Sequence, residues 1–341
     1  MKISMKTLEA VEKYDWPYHR TKVCELTLNY DCNARCVFCY SSPEMDEWKN
    51  KNRLDIKTAA SYMNNSYKTG SRVLQIIGGE PTVYPNLSEI IKIAKKIGYP
   101  VIQIVTNGQR ASDFNYLKNL KYAGLNSITF SIHAPDKKLH DSIVGVKGAF
   151  SKIIKALENA VKLDIYPSVG TAVNALNYKQ IPALVKFLYD RYNMESYHII
   201  AMHFIGAAGK NEKKLSVSYS QTLPYIKEAL KFLSSKRIMP ISALLSNYQP
   251  CLLPGCENII SDWKIPFCDD DLYLPEKVYK DSMYSMITDT LRMKGVNCEK
   301  CIYSGICAGF ERRYYDIYGD KEFKPLKSAA KPISMGVFYS R

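Results

Sequence analysis

No run of apolar residues in this chain of 341 approaches the length a membrane span needs. The opening stretch MKISMKTLEAVEKYDW lacks the apolar core of a secretory signal. Both absences give the expectation of a cytoplasmic protein with no membrane partner, whose cysteines stay reduced. Nor do the arginines gather into a compact block interleaved with aromatics, which weighs against nucleic acid as a partner. Acidic residues are few, 33 against 47 lysines and arginines, and the formal charge is +14. The surplus is scattered. It reads as a solvated surface, or as a face for an acidic partner or an anionic substrate. There are ten cysteines, but none lies between Cys39 and Cys251. Cys24, Cys32, Cys36 and Cys39 stand near the start, and Cys251, Cys256, Cys268, Cys298, Cys301 and Cys307 near the end. In a reducing compartment such clustering points to metal binding rather than a disulfide framework.

A hydrophobic content of 46% with 23% charged residues describes a globular protein. From residue 22 to 205, short β-branched runs alternate with helical patterns. The predicted strands are 22–29, 73–77, 101–105, 127–132, 167–173 and 198–205, apolar enough to be buried on both faces. Between them, Leu87, Ile90, Ile91, Ala94 and Ile97 form one helical stripe, with Gly98 placed to end the helix. Phe150, Ile153, Ile154, Leu157 and Val161 form a second stripe, and Ile181, Leu184, Val185 and Leu188 a third. Six βα units imply a parallel sheet, either an open partial (β/α)6 TIM-like barrel or a doubly wound sheet. The partial barrel fits better, because the alternation fades after residue 206. In both architectures chemistry belongs at the C-terminal ends of the strands. The cysteine stretch, GGEPT (78–82), TNG (106–108), His133 and Asn174 all fall there. Beyond 206, GAAGKNEKKLS reads as a polar linker, with helices expected at 216–235 and about 281–293.

The spacing of Cys32, Cys36 and Cys39 is C-x3-C-x2-C, three thiols with no fourth beside them. Structural zinc normally takes four protein ligands, and Cys24 is expected inside a strand. A [4Fe–4S] cluster takes one ligand per iron, so three cysteines leave one iron open to something that is not protein. An open position is a catalytic design.

The loop CNARCVFC resembles the signature of the radical S-adenosylmethionine (SAM) superfamily. The resemblance implies a [4Fe–4S] cluster on Cys32, Cys36 and Cys39, with SAM chelating the open iron. It implies reductive cleavage of SAM to a 5′-deoxyadenosyl radical, which abstracts hydrogen from substrate. GGEPT resembles the family's stretch after strand 2, implying SAM contacts from Gly78, Gly79, Glu80 and Pro81, with Glu80 facing the SAM amino group. Asn107 and Ser131 occupy the family's places for ribose and carboxylate contacts, and Tyr40 matches its aromatic near the adenine.

The later spacing C-x2-C-x5-C, Cys298, Cys301 and Cys307, resembles the SPASM/twitch extension, preceded as there by Cys251, Cys256 and Cys268. This implies one or two auxiliary [4Fe–4S] clusters in a small cysteine-rich C-terminal domain. The full pattern has a further cysteine where this chain has Glu311, so Glu311 is a candidate ligand. A zinc knuckle is the alternative. The resulting division is 1–206 barrel, 207–246 connecting segment, 247–318 auxiliary domain and 319–341 tail. The resemblance favours modification of a peptide or protein, although only about twenty residues precede strand 1 to hold a leader. Radical oxidation or rearrangement of a small molecule or nucleotide is the rival enzyme reading, and a non-catalytic electron carrier the rival of another class. An acidic flavodoxin or ferredoxin is the expected reductant. His133, Asn174 and His203 are the candidate catalytic residues, by their places near strand ends.

Overall fold

In this computed structural model the described residues are 3–4, 22–41, 53–236, 238, 244–264, 271–273 and 291–330. The six βα strands form where the β-branched runs lie. They are β1 (Lys22–Thr27), β2 (Ser71–Ile77), β3 (Val101–Thr106), β4 (Ser127–Ser131), β5 (Tyr166–Val173) and β6 (Tyr197–Ala201). Two short edge strands extend the same sheet, β7 (Leu245–Ser246) beside β6 and β8 (Asp271–Tyr273) beside β1. The order is β7-β6-β5-β4-β3-β2-β1-β8, and every neighbouring pair is parallel. The order of β1 to β6 never reverses, so the sheet has no switch point and the crossovers all keep to one face. That decides between the two sheets the alternation allows. The protein is an open α/β barrel, not a doubly wound fold.

The helices cover that face for the reason their stripes suggest. Leu87, Ile90, Ile91 and Ala94 of Leu87–Ile97 are buried, and Gly98 ends the helix at φ 112, in the left-handed range. In Ala149–Lys162, Ile153, Leu157 and Val161 are buried. In Ile181–Tyr192, Ile181, Leu184, Val185 and Leu188 are. The expected helix at 216–235 forms as Tyr219–Ser235, closed at its start by a capping box of Ser218 and Gln221. None of the described helices is long and apolar enough to cross a membrane.

Two expectations need correction. The stretch read as a polar linker folds into two short helices, Gly206–Lys210 and Glu212–Leu215, because Ala208 and Leu215 are fully buried anchors. The helix expected over about 281–293 does not reach its end. Arg292 and Met293 form β9, which pairs antiparallel with β10 (Phe310–Glu311), and 281–290 lie outside the described residues. Here a two-residue ladder and the burial of Arg292 override helical periodicity. Helix Arg312–Tyr318 follows β10, and its Tyr314 ring packs 4.5 Å from that of Tyr219. Phe310 stacks at 3.8 Å on Phe323, joining the chain's later part to the barrel's last helix.

Candidate functional site

The chain leaves β1 and runs beside the chain leaving β2. Gly79 N–H donates to Asn29 O at 2.8 Å, and Glu80 N–H to Asp31 O at 2.8 Å. This close approach explains the glycine pair. A Cβ on Gly78 would meet Asn29 O at 2.4 Å, and one on Gly79 would meet Asp31 O at 2.4 Å and Tyr30 O at 2.5 Å. These are backbone atoms with no rotamer to give way. Gly79→Ala is therefore expected to cost about 1–3 kcal/mol of stability and to lower bound iron. Thermal unfolding and iron analysis of the purified variant check this.

The cysteine loop is held by backbone on both sides. Arg35 and Val37 N–H groups donate to Val144 O and Ile143 O, at 3.0 and 2.9 Å. From the opposite side Ala207 N–H donates to Cys39 O at 2.8 Å, and Asn211 Nδ2 to Val37 O at 2.9 Å. Gly206 touches Cys39 O and Tyr40 O so closely that a Cβ there would lie 2.5 and 2.3 Å from them. The stretch read as a linker thus seats the loop. Cys32, Cys36 and Cys39 are each half-buried, and Tyr40 is 53% exposed beside them. Ala34 N–H points at Cys32 Sγ at 3.4 Å. Burial, with the Glu80 carboxylate next, pushes the Cys32 thiol up to about 11. Burial and then the charges of Cys39 and Cys32 push Cys36 higher still. Three thiolates so close repel one another, and only a strongly cationic body can hold them ionised together.

Glu80 is 1% exposed and organises the neighbouring strand ends. Its Oε1 accepts from Thr82 N–H at 3.0 Å, Thr82 Oγ1 at 2.6 Å and Thr106 Oγ1 at 2.6 Å, and its Oε2 from Asn107 N–H at 2.8 Å. Burial raises its pKa against the pull of these donors. Oε2, with one donor, keeps a lone pair for a further cation. Pro81 opens the short turn Pro81–Val83 behind it. Asn107 Nδ2 reaches Asn33 Oδ1 at 2.7 Å, and Gln109 Nε2 reaches Asn33 O at 3.2 Å, tying the end of β3 to the cysteine loop. Ser131 closes β4, half-buried beside Gly170 of β5. Sequence reasoning quoted Thr82, Thr106 and Asn33 within its motifs but gave them no role. Serine, threonine and asparagine at strand ends are too common to stand out in one sequence. It likewise gave no role to Asn29, fully buried with no partner for either side-chain amide atom among the described residues.

The three catalytic candidates separate. His133 is 4% exposed and receives Ala172 N–H on Nδ1 at 3.4 Å. Burial, then His140, holds it neutral, with its pKa well below the usual range. Asn174 is fully buried and spends its side chain on Ala172 O and Leu176 N–H. Both carry hydrogen bonds that hold strand ends in place, and the His133 ring packs 4.7 Å from that of Phe38 in the cysteine loop. His203 alone keeps an accessible ring, two residues past β6 and 38% exposed.

The later cysteines separate too. Cys251, Cys298, Cys301 and Cys307 line one cavity with Lys294 and Lys324. Burial, then Cys307, Cys298 and Cys301, push the Cys251 thiol up to about 12. Gly309 N–H points at Cys307 Sγ at 3.3 Å. Cys256 stands apart. It is 1% exposed, and its charged neighbours are Glu257 and Lys227 rather than thiols. Cys268 lies outside the described residues. Glu311 does not face the cavity either. Its Oε1 accepts from Phe204 N–H at 2.9 Å, and its Oε2 lies 3.4 Å from Asn247 Nδ2 and 3.7 Å from His203 Nδ1. These partners replace the ligand role its position suggests. Among the described residues no three His, Cys, Asp or Glu side chains are spaced for a single metal ion. Both thiol groups suit a cluster, which spreads its ligands over several irons, better than one zinc.

Residues 26–188 match the family model of the radical SAM superfamily. A probable GTP 3′,8-cyclase of Saccharolobus islandicus (strain M.14.25 / Kamchatka #1) is 29% identical over 250 residues, 69% of this chain and 77% of that protein. One from Sulfurisphaera tokodaii is 27% identical over 269 residues, 74% and 81% of the two chains. Among solved structures, Streptococcus suis SuiB bound to S-adenosylmethionine aligns with TM-score 0.61 at 17% identity, covering 94% of this chain and 79% of that one. Native anSMEcpe with bound AdoMet and Kp18Cys peptide aligns with TM-score 0.60 at 16% identity, covering 88% and 95%. At such identities the likeness to the solved structures is one of fold.

Proposed function

We propose, for a chain that belongs to the radical SAM superfamily, that its substrate is a peptide or protein segment from which it abstracts a hydrogen atom. The enzyme works with a [4Fe–4S] cluster and SAM, and the residues present fit that pair. Cys32, Cys36 and Cys39 would hold the cluster, and the free lone pair on Glu80 Oε2 would meet the SAM ammonium. When bound, the pair supplies one-electron cleavage of SAM and a radical that takes hydrogen from substrate. The chain's own part is to hold the loop rigid and keep charge and water ordered around it. The single observation carrying this reading is the half-buried three-thiol loop clamped from both sides, beside a buried carboxylate on the next strand end.

The peptide reading draws support from the fold. Its likeness to anSMEcpe with bound peptide spans 95% of that chain, and the four-cysteine cavity offers an auxiliary cluster no vacant iron to bind a small molecule. A nucleotide is the second reading, favoured by the 29% identity to a probable GTP 3′,8-cyclase. One assay separates them. The reduced, reconstituted protein is given SAM with either GTP or synthetic precursor peptides encoded beside its gene, and 5′-deoxyadenosine is measured. Stimulation by a peptide supports the first reading. Stimulation by GTP alone overturns it in favour of the second.

Glu80→Gln tests the SAM contact. The amide keeps the shape, loses the charge and turns a donor toward Asn107 N–H. A charge-assisted bond contributes about 1.5–3 kcal/mol, so SAM affinity falls roughly tenfold to a hundredfold. Anaerobic calorimetric titration reads this, and unchanged affinity assigns Glu80 to architecture alone. The formal charge of +14 suits an acidic flavodoxin or ferredoxin as reductant. If the charge steers that encounter, turnover with flavodoxin falls as salt rises from about 0.01 M to 0.15 M, where the screening length drops from roughly 30 to 8 Å. Turnover indifferent to salt removes the steering role.

A further inference from the structure

The rim of the barrel at β6 carries a charged cluster that the cysteine sites leave unexplained. Arg292 of β9 and Glu311 of β10 are register partners, with side chains 2% and 3% exposed. Arg292 is already paired. Its Nη2 lies 2.5 Å from Asp262 Oδ2, and its Nη1 donates to Asp262 O at 2.5 Å. Asn247 links the parts, taking Arg292 Nη2 on Oδ1 at 3.5 Å and directing Nδ2 to Glu311 Oε2 at 3.4 Å and Ala201 O at 3.2 Å. Tyr219 packs nearby and stays neutral, because burial raises its pKa far above the usual range. The cluster therefore holds two carboxylates and one guanidinium. A buried ionised carboxylate is costly unless a cation or enough donors face it. Oε1 of Glu311 has Phe204 N–H at 2.9 Å, whereas among the described residues Oε2 has only the long Asn247 contact and the imidazole of His203 at 3.7 Å.

We propose that His203 is the proton-transfer residue of the barrel mouth, oriented by Glu311 as its positioning residue. Nδ1 faces the carboxylate, which favours the tautomer carrying its proton there. Nε2 has no hydrogen-bond partner among the described residues and sits on a ring 38% exposed. Nε2 is then the acceptor presented to substrate. The step is a plain proton transfer. A substrate O–H, N–H or S–H gives its proton to Nε2, the bonding pair stays on the heteroatom, and the imidazole becomes imidazolium. That charge completes the cluster, which becomes neutral with two carboxylates, one guanidinium and one imidazolium. The same arrangement orients the histidine of hydrolytic triads through a buried carboxylate. Glu311 comes from the cysteine-rich part of the chain, four residues past Cys307, so that part supplies the orienting group for a residue on the barrel rim.

The role in turnover rests on the radical reading above, but the geometry can be tested without it. Ring nitrogen-15 resonances of the anaerobic holoenzyme report the His203 tautomer. Glu311→Gln removes the carboxylate that Nδ1 faces and loses the Nδ1–H preference, whereas Glu311→Asp keeps the carboxylate and retains it. An unchanged tautomer in Glu311→Gln overturns the pairing. Nitrogen-15 resonances of the unsubstituted protein need no variant to fold. The Nδ1–H tautomer supports the proposal, and the Nε2–H tautomer contradicts it. With the substrate that the 5′-deoxyadenosine assay selects, His203→Gln lowers product formed per SAM cleaved at least tenfold at unchanged iron content. An unchanged ratio removes His203 from proton transfer while leaving the radical reading intact. Absence of SAM cleavage by the unsubstituted protein would sink the radical reading instead.

Discussion

Replacing any one of Cys32, Cys36 and Cys39 by alanine is expected to reduce SAM cleavage to background. On the proposed reading each thiolate would hold one iron of a cluster that has no protein ligand to spare. Among the described residues no neighbouring thiol can step in. Cys24 is fully buried within β1, and the backbone between the three cysteines is pinned to Ile143 and Val144 on one side and Ala207 and Asn211 on the other. Each pin grips the main chain of the loop and not its sulfur, so the variants keep their fold, and circular dichroism should stay unchanged. The readout is 5′-deoxyadenosine formed by the reconstituted, reduced protein. Full production by any of the three variants would remove the mechanism.

The second large effect concerns the other cysteines. With Cys32, Cys36 and Cys39 all replaced by alanine, about four irons and four sulfides per chain should remain, matching one cluster on four thiolates. Adding Cys298→Ala and Cys301→Ala should remove them, because those thiols line the shared cavity with Cys251 and Cys307. Adding Cys256→Ala instead should leave them in place, since Cys256 lies among Glu257 and Lys227, away from the other thiols. Zinc without acid-labile sulfide in the triple variant would make the region a structural knuckle. Eight irons would mean a second auxiliary cluster.

Much of this was written in the order of residues. Strands of a parallel sheet are buried on both faces, so runs such as VLQII and VIQIV declare themselves within a residue or two of their ends. The cysteine loop was legible because three thiols at fixed spacing have few other uses. What the sequence hid was pairing across distance. Glu311 stands where a cysteine would complete a ligand set, yet β10 carries it to Phe204 and His203, more than a hundred residues away in the chain. GAAGKNEKKLS has the composition of a linker, and only the burial of Ala208 and Leu215 against the barrel makes it a clamp. Cys256 is spaced like a ligand from Cys251, but its thiol is packed into the core instead. His133 and Asn174 hold strand-end positions shared by structural and catalytic residues alike, and their hydrogen bonds to the chain around Ala172 could not be read from the sequence.

An iron left open for SAM is most directly seen by electron paramagnetic resonance of the dithionite-reduced protein, recorded with and without SAM. The spectrum should contain two [4Fe–4S] signals, and SAM should change only the one that disappears on replacing Cys32, Cys36 and Cys39. A spectrum that SAM leaves untouched, in a protein whose loop cluster is present and reduced, would contradict the assignment of this loop as the SAM site.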